Sequence, residues 1–252
     1  MTDTPRPRTP AWPPKSAPRL FVAQALHEGG QVVIDGPQAH YLSRVMRVAA
    51  GDVVIVCDNV TGEWAARVTD AGKREVVLEV SAILRPREAV PDLWLCPALL
   101  KKDRFDLVLE KATELGAARI QPVITRRCVA DKLNRERAVA HTIEAAEQCA
   151  RTALPDLAEP VKLAALLATW PTERALFFAD ENGGEPAAAA FAAYTGPAAI
   201  LIGPEGGFDE GERAAIRAHS AARPISLGPR ILRGETAAIA ALAVWMAARG
   251  DW

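Results

Sequence analysis

Two loops near the end of the chain concentrate the residues that could do chemistry. The first is Gly203-Pro204-Glu205-Gly206-Gly207 and the second is Gly228-Pro229-Arg230-Ile231-Leu232-Arg233-Gly234. Glycines let a ligand approach bare backbone N–H and C=O groups, so both loops offer hydrogen-bonding surface that side chains would otherwise cover. Glu205 is the only acid inside the first loop and could accept a proton, directly or through water. Arg230 first, and Arg233 second, could stabilise negative charge developing on a substrate, an effect worth about 3 kcal/mol for one fixed donor. Two other roles stay open for Glu205: accepting backbone N–H bonds that shape its loop, or pairing with one of these arginines. Neither loop has the GxGxxG form and the chain has no GxxxxGK[ST] loop, which argues against NAD and ATP.

The elements around these loops explain their placement. Ala198 to Ile202 is an apolar run that breaks at the first loop and restarts as a polar helix from about Asp209. Ile225 to Leu227 breaks at the second loop and becomes a small-residue helix from Glu235, with Gly234 as its N-cap. A short strand ending in Gly-Pro before a helix is the local form of an α/β ligand site, because ligands sit beyond the carboxyl ends of strands. Two such passages in succession predict one shared pocket.

Upstream, strands and helices alternate. We read strand Leu93 to Leu99, helix Asp103 to Leu115, strand Arg119 to Ile124, helix Arg135 to Thr152, strand Ala175 to Ala179 and helix Glu185 to Tyr194. Alternation of this kind predicts an α/β domain with a mostly parallel sheet. In the first helix Phe105, Val108, Leu109, Ala112 and Leu115 form a core stripe, with Asp103 as cap and Gly116 as stop.

The first third reads differently. Leu20 to Val22, Gln31 to Ile34, Asp52 to Cys57, Glu63 to Val68 and Val76 to Val80 are short β-like runs separated by turn signals, the pattern of a small barrel. Gln38 to Arg47 has helical spacing and sets Arg44 and Arg47 one turn apart. Residues 1–18 are Pro-rich and read as a disordered extension, and Ile83 to Pro91 as a linker. The expected organisation is therefore extension 1–18, barrel 19–88 and α/β domain 89–252.

Composition narrows the class. The chain has 252 residues, a formal net charge of -1 and four cysteines, Cys57, Cys96, Cys128 and Cys149, without CxxC or CxxH spacing. No zinc or other metal site is expected, and the thiols suit a reducing compartment. No apolar run reaches the roughly 20 residues that cross a bilayer, and the start lacks a secretory h-region, so the expected location is the cytoplasm. Basic residues cluster at Arg19, at Arg44 and Arg47, at Lys101-Lys102 with Arg104, and at Arg126-Arg127. Each cluster is either a footprint for nucleic acid or a solvated face balanced by nearby acids.

Several separated blocks carry a family resemblance. LIGPEGG followed by SLGPRILRGETAAIAAL, together with KKDRFDLVLEKATELGAARIQPV, RRCVADK, EAAEQCARTALPDL and, earlier, AHYLSRVMRVAAGD, resembles the SPOUT RNA methyltransferases. Within them it resembles the RsmE family, which methylates N3 of a uridine in 16S ribosomal RNA. The resemblance implies a deep trefoil knot in the C-terminal domain, a PUA-like N-terminal domain and a homodimer with the last helix near its interface. It implies S-adenosylmethionine as cofactor, with adenine read by the backbone of Leu227, Gly228 and Leu232, and Gly203 and Gly206 beside the ribose or methionine. Ile202, Glu205, Ile231, Thr236 and Ala237 complete the expected cofactor set. RNA contacts are expected at Arg19, Arg44, Arg47, Lys101, Arg104, Arg126 and Arg127. Gly234 departs from the family's Thr. A related knotted enzyme acting on another RNA or on a ribose hydroxyl, and a non-catalytic RNA-binding assembly factor, are the alternatives.

Overall fold

A computed structural model describes residues 17–72 and 74–252. The Pro-rich extension lies outside the described residues up to position 16. The described chain forms two compact units, one ending at Glu88 and the other running from Ala89 to Trp252.

The first unit contains β1 (Arg19–Phe21), β2 (Gln31–Ile34), α1 (Gly36–His40), β3 (Val53–Cys57), β4 (Gly62–Ala71) and β5 (Val76–Pro86). A single wide turn, Tyr41–Val45, extends α1. The strands pair in the order β1-β3-β4-β5-β2, parallel between β1 and β3 and antiparallel elsewhere. Alternate residues of β2 and β5, including Val32, Ile34, Val76, Leu78 and Val80, meet Leu42 and Val54 in the core. The expected linker from Ile83 is corrected: β5 continues to Pro86, pairing Gly62 with Pro86. Gly62 permits this with φ +120°, because a Cβ there would lie 2.4 Å from the Arg85 carbonyl oxygen.

The second unit contains β6 (Leu93–Pro97), α2 (Lys102–Glu114), β7 (Arg119–Ile120), β8 (Val123–Ile124), α3 (Arg135–Cys149), β9 (Asp156–Leu157), β10 (Val161–Lys162) and α4 (Leu163–Ala168). It continues with β11 (Ala175–Ala179), β12 (Glu185–Pro186), α5 (Ala187–Ala192), β13 (Ala198–Ile202), α6 (Glu210–Ala218), β14 (Ala222–Ser226) and α7 (Gly234–Arg249). Seven strands form a parallel sheet in the order β12-β14-β11-β13-β6-β7-β9. Successive side chains of a strand point to opposite faces. Leu95, Phe177 and Ile200 accordingly pack with α2, α3, α5 and α7, while Cys96, Leu176, Phe178 and Leu201 pack with α4 and α6. The result is a three-layer α/β unit.

Several local expectations change. The single strand expected over Arg119 to Ile124 splits at Gln121-Pro122, since Pro122 has no N–H for a ladder, and β8 leaves the main sheet to pair with β10. The α2 N-cap is Lys101, with Asp103 in the first turn and making no capping bond. Helix α3 stops at Cys149, where Ala150 turns left-handed at φ 61°. The helix expected from Glu185 begins only at Ala187, because Glu185 and Pro186 pair with β14. Arg233, not Gly234, is the N-cap of α7. Gly234 instead allows close packing: a Cβ there would lie 3.0 Å from Leu100 Cδ2 and 3.3 Å from the Gly203 carbonyl oxygen.

Candidate functional site

Parallel strands that end together leave a crevice at their carboxyl edge, and the order around β11 places it. Strand β11 lies between β13 and β14, so the loops after all three strands converge. Between them is a cavity of about 170 Å³. Its lining includes Ile202, Gly203 and Glu205 from the first predicted loop, and Leu227, Gly228, Arg230, Ile231 and Leu232 from the second. Ala237, one turn into α7, also lines it.

Not every expected residue is there. Gly206, Thr236 and Arg233 lie outside the lining. Thr236 is exposed on the first turn of α7. Arg233 is exposed, and its carbonyl accepts the Ala237 N–H at 2.8 Å. Ile231 lines the cavity yet is 89% exposed, so it stands at the rim.

The first loop is a tight turn. Gly207 adopts φ +66° and donates its N–H to the Pro204 carbonyl at 2.9 Å. The loop then enters α6 through a capping box in which Asp209 accepts from the Glu212 N–H at 2.6 Å, and Glu212 accepts from the Asp209 N–H at 3.2 Å. The Glu212 N–H and the Arg126 guanidinium hold the Asp209 carboxyl below its usual range. Glu205 is exposed, and its carboxylate has no hydrogen bond or ion pair among the described residues. The loop-shaping and arginine-pairing roles left open for Glu205 are therefore not the ones this conformation uses.

The sequence missed a third wall. Ala179, Asp180 and Glu181, just past β11, also line the cavity, as does Arg213 from α6. The Asp180 side chain is fully buried and accepts from Arg217 Nε at 2.9 Å, Arg217 Nη2 at 2.6 Å and the Asn182 N–H at 3.0 Å. The signal was present: Ala175 to Ala179 is an apolar run ending in Asp-Glu-Asn-Gly-Gly, the same strand-then-glycine form as the other two loops.

The basic residues divide by environment. Arg44 is exposed beside exposed Tyr41, Val45 and Met46, and Arg47 follows with φ 54°. Lys101 is exposed at the start of α2. Arg19 pairs with the buried Glu63, which also accepts from Arg85 Nε at 2.6 Å. Arg104 pairs with the buried Glu235 of α7. Arg127 Nη1 donates to the Gly206 carbonyl at 2.8 Å, while Arg126 meets Asp209 at 2.9 Å and donates its N–H to Glu212 at 2.8 Å. Arg19, Arg104, Arg126 and Arg127, all expected on RNA, thus have protein partners, and the last two brace the first loop.

Among the described residues no group of three His, Cys, Asp or Glu side chains is arranged to hold a metal ion, and no helix is long and apolar enough to cross a membrane. The Cys96 thiol, buried between sheet and helices, is pushed up to about 12 by burial.

Comparison with known proteins places this architecture. The family model described as an RNA methyltransferase domain matches residues 86–246, and the one described as an RNA methyltransferase PUA domain matches residues 34–81. Ribosomal RNA small subunit methyltransferase E of Synechocystis sp. is 32% identical, covering 89% of this chain and 76% of that protein. The protein of the same name from Rickettsia conorii is 29% identical over 89% of this chain and 93% of its own length. Among solved structures, a Legionella pneumophila protein in complex with the bound cofactor SAM superposes with a TM-score of 0.86 at 28% identity, covering 94% of this chain and 99% of that one. The Neisseria gonorrhoeae ribosomal RNA small subunit methyltransferase E bound to S-adenosyl methionine gives 0.85 at 27% identity, covering 94% and 99%. Matched by the domain model over residues 86–246 and by a relative 32% identical across 89% of its length, the chain belongs to the RNA methyltransferase family.

Proposed function

We propose that this protein transfers a methyl group from S-adenosylmethionine to small-subunit 16S ribosomal RNA, at N3 of a uridine. The observation that carries this reading is the convergence of three strand-end loops on one cavity that holds Glu205 and Arg230 beside bare glycine backbone. Its lining suits the cofactor: Ile202, Leu227 and Leu232 give an apolar slot for a planar purine, and Gly203 and Gly228 leave backbone groups open to it. When bound, the cofactor would supply an electrophilic methyl on a sulfonium.

The protein's share of the work is proton and charge management. Uracil N3 carries a proton at neutral pH, so methylation requires its removal and leaves negative charge shared with the flanking carbonyl oxygens. Glu205, exposed at the cavity and unpaired among the described residues, takes the proton. Arg230 faces the same cavity and stabilises the carbonyl charge, with Arg233 on the adjoining turn as a second donor. Arg44, Arg47 and Lys101 remain as exposed cations for the RNA backbone.

A deep trefoil knot, a barrel for residues 19–88, a homodimer with α7 near its interface and a cytoplasmic location belong to the same reading. In support of the knot, β14 lies on the far side of β11 from β13, and α7 packs back onto the sheet. The test is nucleoside analysis of small-subunit RNA methylated in vitro. The expected product is 3-methyluridine, and a ribose-methylated nucleoside overturns the base assignment. Glu205→Gln and Arg230→Ala are expected to slow single-turnover transfer at saturating cofactor and RNA, and an unchanged rate removes that residue from the chemistry.

A further inference from the structure

We propose that Glu181 is the acceptor for the ribose hydroxyls of the cofactor, held in place by an Asp180–Arg213 arm. The assignment rests on the cofactor reading above and adds to it a side chain that neither predicted loop contains.

The two acids of the third wall are not equivalent. Asp180 is consumed: its side chain is buried, and Arg217, Arg213 and the Asn182 N–H take its oxygens. Glu181 keeps half its side chain exposed, at 46%, and lines the cavity. Its Oε1 accepts from Arg213 Nη2 at 2.5 Å, while Oε2 has no hydrogen-bond partner among the described residues. Arg213 is itself only 17% exposed, with Nε 3.4 Å from Asp180 Oδ1, so Glu181 hangs on a fixed cation rather than on a mobile one.

A second element fixes the same carboxylate. A Cβ on Gly207 would lie 3.1 Å from Glu181 Oε1 and 3.4 Å from Oε2. Both oxygens therefore lie against the glycine loop, and the left-handed glycine leaves room for them. The nucleoside half of the cofactor presents a cis-diol with two O–H donors. An ionised carboxylate has two oxygens and accepts only. An acid beyond a neighbouring strand serves ribose in the same way in dinucleotide-binding α/β folds. The remaining charged lining groups do not compete for this role, since Arg213 and Arg230 cannot accept and Glu205 is assigned to the RNA base.

The test is titration calorimetry of the full-length protein with S-adenosylhomocysteine and with its 2′-deoxy and 3′-deoxy analogues. Wild type, Glu181→Ala and Glu181→Gln would be compared, with thermal unfolding confirming that each is folded. A hydrogen bond to a charged group sets the scale, so Glu181→Ala is expected to weaken S-adenosylhomocysteine about tenfold or more. The wild type is expected to bind at least one deoxy analogue more weakly by a similar factor, and Glu181→Ala to lose that discrimination, with Glu181→Gln in between. Wild-type-like affinity in Glu181→Ala, or retained discrimination against both deoxy analogues, overturns the ribose assignment alone. Absence of any S-adenosylhomocysteine binding by the wild type overturns the cofactor reading, and this assignment with it.

Discussion

Arg104 separates an RNA-binding role from a structural one, and its replacement has a calculable effect. Arg104 sits in the first turn of α2 and pairs with Glu235 in the first turn of α7, 131 residues away. Glu235 is only 4% exposed, and its other oxygen, Oε2, is buried without a hydrogen-bond partner among the described residues. Removing one member of a fully buried pair costs about 3–5 kcal/mol, because the other charge is stranded. An exposed pair is worth at most about 1 kcal/mol. The Arg104 side chain is 43% exposed, which places the loss in Arg104→Ala between these limits. The positive end of the α7 dipole still favours the stranded carboxylate by about 0.3–1 kcal/mol. The expected cost is roughly 2 kcal/mol, which at this chain length lowers the melting temperature by about 4–8 °C. Urea unfolding of Arg104→Ala, Glu235→Ala and the double variant gives the pair term directly. The double variant should be less destabilised than the sum of the singles, by about 1 kcal/mol or more, since it leaves no orphan charge. An unchanged urea midpoint in Arg104→Ala, together with a salt dependence of RNA binding reduced by about one phosphate contact, would refute the structural role and restore the RNA assignment.

Other residues give shorter tests. Asp58 accepts from the N–H groups of Leu26, Val60 and Thr61 and from the Thr61 hydroxyl. Burial pushes its carboxyl up, but these donors outweigh burial and hold it below the ordinary 3.8. Its contribution is therefore complete above that ordinary value and is lost as pH falls from there through the lowered value of the folded state, and Asp58→Ala should cost roughly 2 kcal/mol at neutral pH and progressively less in acid urea titrations. Arg127→Ala should weaken cofactor binding several-fold, measured by calorimetry, with the salt dependence of RNA binding unchanged, because Arg127 holds the Gly206 carbonyl rather than a phosphate. Gly207→Ala places a side chain at φ +66°, so denaturation should show a loss of about 1–2 kcal/mol, with weaker cofactor binding. Ala150→Gly relieves the left-handed C-cap of α3 and should raise the urea midpoint, by about 0.5 kcal/mol after the added chain entropy of glycine.

The alternation of apolar runs and helices made the α/β layer and its two glycine loops legible, because β13 ends directly before Gly203-Pro204 and β14 ends one residue short of Gly228-Pro229. The loop after β11 has the same form, but it lies about twenty residues earlier in the chain, and only the strand order brings it to the cavity. Arg104, Arg126 and Arg127 looked like free cations because their partners, Glu235, Glu212, Asp209 and Gly206, are between 79 and 131 residues distant. Local spacing cannot report such pairs. Gly234 looked like a cap substitution, whereas its meaning is steric: Leu100 and the Gly203 carbonyl would crowd a Cβ there. Short elements such as β9, β10 and α4 escaped the sequence because two-residue strands and a six-residue Leu/Ala turn carry too few positions to show a period.

Amide hydrogen exchange with and without S-adenosylhomocysteine tests the central claim, that three strand-end loops form one cofactor pocket, most directly. Protection is predicted to rise together in residues 179–183, 203–208 and 227–234 and to leave the N-terminal unit unchanged. Protection confined to other segments, or absent from all three loops despite saturable binding, would contradict it.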